Sequence, residues 1–294
     1  MLRYRDPVDL GRIGVWWSGA WRVAEDASAD VAAELEALGY TALWSSGGFR
    51  PGLSPHFERL LAATTRMMVC SGIVSIWSTS PDEIAPAVTD LDLRYPGRFV
   101  LGLGASHSAI VEEYTRPYSH MVAYLDSLDA LDVAGTAVPR DRRVLAALGD
   151  RMLRLAADRA VGAHPYFVPV EHTARAREVL GADALLAPEV SVVLERDAIE
   201  ARQTARAFTT GYLSLPNYAD NLRSLGFGDD DVAGGGSDRL VDAVVARGGA
   251  GDVADRVRQH LDAGANHVCI QVLAPLESFP LQAYRELAPA LMEL

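Results

Sequence analysis

Short apolar runs recur along the chain and alternate with longer segments of helical periodicity. Eight of these runs have the length and flanking residues of buried strands, and they lie at 12–17, 41–46, 68–77, 99–108, 143–148, 162–170, 190–195 and 267–273. Runs that stay apolar, without strict polar alternation, are typical of strands covered on both faces of a parallel sheet. Because helical patterns separate most of the strands, the order predicts an α/β protein with a parallel sheet.

The helix signals agree with this order and mark two insertions. Ser80, Pro81 and Glu83 form a capping box with proline at the first helical position, whereas Ser237 and Asp252 are predicted to cap two later helices. Strand four is followed by an irregular polar segment at 109–117, and strand seven by a helical insertion at 212–226. The pattern therefore predicts a TIM (β/α)8 barrel with insertions after strands four and seven, forming one domain over residues 1–294.

The amino-acid composition limits the kinds of molecule that this protein is expected to bind. The 294 residues carry a formal net charge of -12, and no cluster of Lys or Arg interrupts this acidic balance, which argues against a phosphate-backbone-binding surface. No apolar run approaches the roughly 20 residues of a membrane span, and the first residues lack the apolar stretch of a secretion signal. Cys70 and Cys269 lie in strand patterns as buried thiols, and the histidines have no metal-ligand spacing. We expect a cytoplasmic, metal-free protein with a small-molecule partner and no nucleic-acid or membrane partner.

The ends of the predicted strands hold few groups that could catalyse a reaction unaided. Loops after the strands of such a barrel build the site. They contain no carboxylate pair, no lysine at a strand end and no recognisable Ser-His-Asp set. This scarcity favours a bound cofactor that supplies the reactivity while the protein binds and orients it.

Three of these strand ends carry the strongest candidates. Gly149 and Asp150 start a helix and would suit a phosphate group, with Arg151 adding charge, although a simple turn with a capping Asp explains them equally well. His107 either contacts a cofactor or substrate or orders its own loop, and both readings stay open. His164 and Tyr166 have the same ambiguity between catalysis and packing.

Two further sets of residues receive ordinary interpretations. The run G-L-G-A-S from Gly102 lacks the spacing of a dinucleotide fingerprint, so Gly102 is expected to let a helix pack closely on the strand. The remaining histidines within helical patterns are expected to be surface or packing residues, and these are His56, His120, His172 and His260.

Six motifs, spread in order over nearly the whole chain, resemble one family. They are E-L-E-A-L-G-Y-T-A-L-W from Glu34, S-G-I-V-S-I-W from Ser71, Y-P-G-R-F-V-L-G-L-G-A-S-H from Tyr95, V-L-A-A-L-G-D-R-M-L from Val144, G-A-H-P-Y-F-V-P-V-E-H-T from Gly162 and A-G-A-N-H-V-C-I-Q-V-L from Ala263. The sequence is similar to luciferase-like monooxygenase-fold oxidoreductases, of the actinobacterial class that uses the deazaflavin coenzyme F420.

The resemblance implies a flavin or deazaflavin across the carboxyl ends of the barrel strands. It implies a non-prolyl cis peptide, carried onto Ser75–Ile76, that backs the ring system. It places the ring beside Gly104, Ala105, Ser106 and His107, and the cofactor phosphate at Gly149, Asp150, Arg151 and Met152. It also implies a homodimer. One departure concerns the end of strand two, where many members carry an acidic residue or Asp-His and this chain has Ser45, Ser46, Gly47 and Gly48. At this position either Ser45 or Ser46 would hydrogen-bond the reacting ring, or neither residue would.

The expected function is hydride transfer between the deazaflavin C5 of F420 and a small organic substrate. His107, with His164 or Tyr166, would supply a proton or hold the substrate oxygen. Two alternatives stay open: an FMN-dependent monooxygenase that uses O2, and a non-catalytic, cofactor-free member of the fold, which the serine substitutions at Ser45 and Ser46 motivate.

Overall fold

The described part of the chain forms a sheet of eleven parallel strands. The computed structural model describes residues 8–22, 24–47, 53–109, 111–133, 138–275 and 278–294, so the predicted site residue Gly48 lies outside the described residues. The strands are β1 Ile13–Trp17, β2 Ala42–Ser45, β3 Met68–Ser71, β4 Val74–Ser75, β5 Phe99–Gly104, β6 Arg143–Leu145, β7 Gly162–Ala163, β8 Leu185–Leu186, β9 Glu189–Val193, β10 Val245–Arg247 and β11 Val268–Val272.

The strands form a closed barrel, and the segment that closes it is divided into the two strands β8 and β9. Hydrogen bonding runs β10-β9-β11-β1-β2-β3-β5-β6-β7-β8, with β4 paired to β5. Only Ala187 and Pro188 separate β8 from β9, and β8 pairs with β7 whereas β9 pairs with β11. The segment 185–193 therefore joins both ends of the order into a ring, and β10 adds to the remaining edge of β9. These contacts confirm the predicted TIM-barrel class.

Helices follow the strands and cover the outside of the ring. They are α1 Glu25–Ala37, α2 His56–Ala62, α3 Pro81–Arg94, α4 Pro117–Val133, α5 Asp150–Arg159, α6 Val170–Leu180, α7 Ala198–Leu213, α8 Pro216–Ser224, α9 Asp229–Val232, α10 Asp238–Val244, α11 Ala250–Asp262 and α12 Leu281–Leu291. None of the helices in the described part of the chain is long and apolar enough to cross a bilayer.

Two of the three predicted helix starts are confirmed. Glu83 accepts a hydrogen bond from the Ser80 N–H at 2.9 Å, which completes the capping box of α3, and the Ser237 hydroxyl caps α10. The third position was wrong, because Gly249 is the N-cap residue of α11. Asp252 lies one turn later, and its carboxylate accepts the Gly249 N–H at 2.9 Å.

The barrel interior contains a layer of buried side chains from neighbouring strands. The parallel register aligns Trp16, Trp44, Cys70 and Val100 on successive strands, and all four are buried. Cys70 and Cys269 are both free and buried, as predicted. Because this layer is packed, a ligand is expected at the carboxyl ends of the strands, where loops form the site in such barrels.

Several element boundaries differ from the sequence pattern. The predicted third strand is divided into β3 and β4, and the sixth strand ends at Ala163 rather than Val170. The short strands β8 and β10 were not predicted, because two or three apolar residues do not distinguish a strand from a turn or a helix end. The helix α2 ends at Ala62, and the backbone N–H groups of residues 65–67 donate to the Glu36 carboxylate.

Candidate functional site

A cavity of about 1000 Å³ opens at the carboxyl ends of the strands. Residues at or just after the ends of β1 to β7 line it, and the remaining wall is formed by the start of α4, by Arg175 of α6 and by α7 and α8. Of the predicted site residues, twelve line this cavity: Ser46, Ser75, Gly104, Ala105, Ser106, His107, Gly149, Asp150, Arg151, Met152, His164 and Tyr166.

The floor of the cavity contains a cis peptide at a different place from the one expected. The bond is Gly72–Ile73, three residues before the predicted Ser75–Ile76. Ile73 lines the cavity, whereas Ile76 is 4% exposed and packs in the apolar core, so Ile76 is not a cavity residue. The predicted position was wrong because the strand run does not reveal at which residue its pairing with β2 stops.

Gly102 and Gly104 allow this bulge to lie directly on β5. A Cβ added to Gly102 would lie 1.9 Å from the Ser71 carbonyl oxygen, and one added to Gly104 would lie 2.7 Å from the Ile73 side chain. The Ser71 hydroxyl also accepts the Gly102 N–H at 2.8 Å. The expectation that a helix packs on Gly102 was therefore wrong, because the neighbour at this glycine is the backbone of β3.

The turn from β6 into α5 presents free backbone donors. The N–H groups of Gly149, Asp150 and Arg151 have no acceptor within the described part of the chain. A Cβ added to Gly149 would meet no atom within 4 Å, so the space beside this turn is open. Free N–H groups in the first turn of a helix, together with its dipole, favour an anion.

Charged side chains surround this turn. The Asp150 carboxylate accepts from Arg175 of α6 at 3.0 Å, so a ligand would contact the Asp150 backbone rather than its side chain. The Arg151 guanidinium lies 4.2 Å from the centre of the Tyr118 ring. Arg175 also donates to the Ser224 hydroxyl at 3.2 Å, which joins α6 to α8 at the cavity mouth.

His107 joins the loop after β5 to the helical insertion. Its Nδ1 lies 2.8 Å from Asn217 Oδ1 of α8, and its ring lies 5.0 Å from that of Tyr218. An amide oxygen only accepts, so Nδ1 carries the proton and Nε2 is left as an acceptor. Burial lowers the pKa of His107, while the hydrogen bond to Asn217 opposes this shift. His107 is therefore a neutral base near pH 7.

His164 lies deeper and is also neutral. Its Nδ1 donates to the Ala187 carbonyl at 2.7 Å, and its ring stacks on Trp44 at 4.1 Å. Burial lowers the pKa of His164 to about 4. Nε2 has no partner among the residues that the structure describes, and it is inaccessible beneath Gly72. The packing role that the sequence left open is thus evident, and a direct catalytic contact would require the floor to move.

Tyr166 belongs to a group of aromatic rings. Its hydroxyl donates to Gln271 Oε1 at 2.7 Å and lies 2.9 Å from the Tyr212 hydroxyl, so Tyr212 is the donor in the second bond. Burial, followed by the proximity of Tyr212, raises the pKa of Tyr166 well above its ordinary value. Tyr166 remains protonated, and its proton is committed to the hydrogen bond with Gln271.

The end of β2 offers one serine to the cavity. Ser46 lines it, whereas Ser45 is fully buried and its hydroxyl donates to the Trp17 carbonyl at 3.2 Å. His56 Nε2 lies 3.2 Å from the same hydroxyl. The prediction that Ser45 contacts a cofactor is therefore not supported by its position.

The sequence pattern missed the residues that the insertion contributes. These cavity-lining residues are Tyr212, Leu215, Asn217, Tyr218, Asp220, Asn221 and Ser224. Helical periodicity predicted the insertion, but periodicity along one segment does not say which barrel face that segment covers. Across the described ranges, no group of three His, Cys, Asp or Glu side chains could hold a metal ion.

Comparisons with known proteins agree with this geometry. The family model for luciferase-like monooxygenases matches residues 24–267. No curated protein sequence matches the chain. Solved structures with the same fold include an F420-dependent secondary alcohol dehydrogenase in complex with an F420-acetone adduct, at 14% identity and a TM-score of 0.71 over 96% of this chain and 99% of that one.

Two further structures illustrate the range of cofactors found on this fold. The coenzyme F420-dependent tetrahydromethanopterin reductase from Methanopyrus kandleri has 13% identity and a TM-score of 0.75, with 97% and 99% of the two chains covered. The oxygenating constituent of 3,6-diketocamphane monooxygenase from Pseudomonas putida, in complex with FMN, has 15% identity and a TM-score of 0.63, with 95% and 98% covered. At these identities the likeness establishes the fold. Since the family model spans most of the sequence, the chain belongs to the luciferase-like monooxygenase family.

Proposed function

We propose that this protein is an F420-dependent oxidoreductase that transfers a hydride to or from a small organic substrate. The observation that carries the proposal is the layout of the cavity, in which free backbone donors at Gly149, Asp150 and Arg151 open onto the same space as the Gly72–Ile73 bulge. A cofactor with a phosphate at one end and a planar ring at the other fits this layout. Two F420-dependent enzymes among the structures with the same fold support the choice of a deazaflavin.

The residues present suit such a group. Ile73 would lie against one face of the ring, and Gly104 to Ser106 would lie along its edge. The phosphate would accept hydrogen bonds from the first turn of α5, with Arg151 and Arg175 nearby. When bound, the deazaflavin supplies a carbon that accepts or donates a hydride. The protein supplies orientation and a proton acceptor.

His107 is the residue best placed to move the proton. Since Nδ1 donates to Asn217, Nε2 can accept a proton from a substrate hydroxyl, and the resulting imidazolium can return it in the reverse direction. Tyr166 has no free proton to give, because its hydroxyl donates that proton to Gln271 and accepts one from Tyr212. We therefore assign the proton-transfer role to His107 and a structural role in the cavity wall to Tyr166.

Two other functions compete with this one. An FMN-dependent monooxygenase is favoured by the FMN-bound structure of the same fold. A non-catalytic member is favoured by the end of β2, where Ser45 turns away from the cavity and only Ser46 faces it.

Titration of the purified protein with F420 and with FMN, followed by fluorescence quenching, distinguishes the three functions. We expect saturable binding of F420 that is at least tenfold tighter than that of FMN. Tighter FMN binding would favour the monooxygenase, and no affinity for either cofactor would favour the non-catalytic member.

Replacing His107 by Ala is expected to lower turnover by about 100-fold, within the usual contribution of a general base, while cofactor affinity changes by less than about threefold. Steady-state kinetics and cofactor titration separate the two effects. In the direction of substrate oxidation, turnover of the natural chain should fall as the pH drops through the lowered pKa of His107, because protonation removes the acceptor. Turnover of His107→Ala that equals that of the natural chain would leave His107 as a residue that merely orders its loop.

A further inference from the structure

The cavity is divided into a charged mouth and an uncharged inner compartment. The charged side chains that line it are Asp150, Arg151, Arg175 and Asp220. They lie together, because Arg175 pairs with Asp150 and bonds Ser224, which is one turn of α8 after Asp220. The proposed phosphate would occupy this mouth.

The inner compartment is walled by aromatic rings. We define it by Trp16, Tyr166, Tyr212, Leu215 and Tyr218. Trp16 and Tyr166 have ring centres 5.1 Å apart, and Tyr212 and Tyr218 have theirs 5.3 Å apart. The rings of Tyr166 and Tyr212, at 5.2 Å, connect the two pairs. Such a wall would suit a molecule with apolar ring surface.

The titratable groups around the compartment remain neutral near pH 7. Burial lowers the pKa of His107 and His164 and raises that of Tyr212 to about 12. Glu189, beneath Tyr166, is 1% exposed, and burial raises its pKa to about 8. A charged substrate group in this compartment would therefore lose water without gaining an opposite charge, which is strongly unfavourable.

From this arrangement we infer that the substrate is an uncharged, ring-containing molecule with a single polar group directed at His107. The inference rests on the proposed function and names its substrate class. His107 Nε2 accepts, so the polar group is a hydroxyl in the reduced form of the substrate and a carbonyl in the oxidised form. In such an oxidation the proton of the substrate O–H bond would pass to His107, and the hydride of the carbinol C–H bond would pass to the bound cofactor.

Equilibrium binding of 2-naphthol and 2-naphthoate to the F420-saturated protein tests the class. We expect the neutral probe to bind at least tenfold more tightly. In Leu215→Arg the new cation should raise naphthoate affinity by at least tenfold, and Ile199→Arg, at a position that is 70% exposed on α7, should leave both affinities unchanged. Equal binding of the two probes to the natural chain, or an unchanged naphthoate affinity in Leu215→Arg, would overturn the inference.

The same measurement without cofactor separates this inference from the proposed function. If F420 does not bind but the protein still prefers 2-naphthol and Leu215→Arg reverses that preference, the proposed function is refuted. The inference that the inner compartment is uncharged would then still hold. Normal F420 binding without any preference between the probes would refute only the substrate class.

A second inference concerns His172, a buried residue of α6 that lies outside the cavity lining. Its Nε2 lies 2.8 Å from the Leu148 carbonyl oxygen, and its side chain is 0% exposed. A carbonyl only accepts, so Nε2 carries the proton and Nδ1 is an acceptor, without a partner in the described ranges. Since an unpaired buried acceptor is destabilising, packing alone would favour an apolar side chain at this position.

The hydrogen bond from His172 to the Leu148 carbonyl controls the direction in which the unpaired Gly149 N–H points. In a trans peptide the C=O and the following N–H point in opposite directions. Holding the Leu148 carbonyl towards α6 therefore turns the Gly149 N–H away from α6, on the side where Gly149 lines the cavity. We propose that His172 is a positioning residue that sets the first turn of α5 for the cofactor phosphate, which rests on the proposed function.

Matched ligands with and without phosphate test this role. His172→Leu is expected to weaken the binding of F420 at least tenfold, whereas the affinity for the deazariboflavin that lacks the phosphate should change by less than twofold. FMN and riboflavin form a second pair of ligands with and without phosphate. His172→Gln, which retains an N–H donor, should restore affinity to within threefold. Equal losses for both members of a pair would indicate general packing and would overturn the proposal.

A measurement on the natural chain covers the case in which His172→Leu fails to fold. The ring N–H proton resonance of His172 should shift on addition of F420 and not on addition of the phosphate-free deazariboflavin. The same shift with both ligands, or with neither, would show that His172 does not respond to the phosphate.

Discussion

Gly149→Glu is expected to weaken binding of a phosphate-bearing cofactor by at least 100-fold while the fold is retained. Gly149 has a φ of -83°, which any residue adopts, and no atom lies within 4 Å of the position of its Cβ. The new carboxylate would lie where the phosphate binds. Two like charges about 4 Å apart repel by roughly 4 kcal/mol at the effective dielectric of a protein surface, which exceeds a factor of 100 in affinity. Cofactor titration measures the loss, and circular dichroism checks the fold.

Gly149→Gln is the matched control, because it has nearly the same shape without the charge. Its effect on F420 affinity should be under tenfold, and the affinity of both variants for the phosphate-free deazariboflavin should be close to that of the natural chain. If Gly149→Glu binds F420 normally, the phosphate lies elsewhere, and the assignment of the β6–α5 turn is incorrect.

Gly102→Ala is expected to destabilise the protein by about 3 kcal/mol or more, at the upper end of ordinary overpacking. The added Cβ would lie 1.9 Å from the Ser71 carbonyl oxygen, and backbone on both sides would have to move. The hydrogen bonds between the Ser71 hydroxyl and the Gly102 backbone, at 2.8 and 3.0 Å, would be lost with that movement. Urea unfolding measures the change, and cofactor affinity should fall with it because the bulge rests on this contact.

Gly251→Ala provides the comparison. Gly251 lies in the first turn of α11, where an added Cβ meets no atom within 4 Å. Alanine there should raise stability by up to about 1 kcal/mol through a less flexible unfolded chain. A small effect of Gly102→Ala, similar in size to that of Gly251→Ala, would show that β3 and β5 can separate without cost.

The sequence pattern was sufficient to predict the barrel and the set of strand ends that meet at its mouth. Eight apolar runs between helical segments leave few alternatives to a closed parallel sheet, and closure brings residues as distant as His107, Gly149 and Tyr166 to one cavity. The capping signals at Ser80 and Ser237 were equally informative, because a cap depends on neighbouring residues alone.

What the pattern could not predict depends on contacts between distant segments. The position of the cis peptide at Gly72–Ile73 follows from where β3 leaves β2, and the orientation of Ser45 follows from Trp17 and His56. The aromatic wall requires Tyr212 and Tyr218, whose helices cover the mouth from an insertion. His172 illustrates the same limit, since its bond to Leu148 joins α6 to a turn 24 residues earlier.

Closure of the ring also has a consequence for the order in which the chain can fold. β1 pairs through Ile13, Gly14 and Val15 with β11 at 268–270, so β1 lacks its second neighbour until about 250 further residues have been synthesised. β9 likewise waits for β11. During translation these edges are unpaired and open to association with other chains. Ribosome-bound intermediates of this protein should therefore depend on chaperones until β11 emerges and pairs with both β1 and β9.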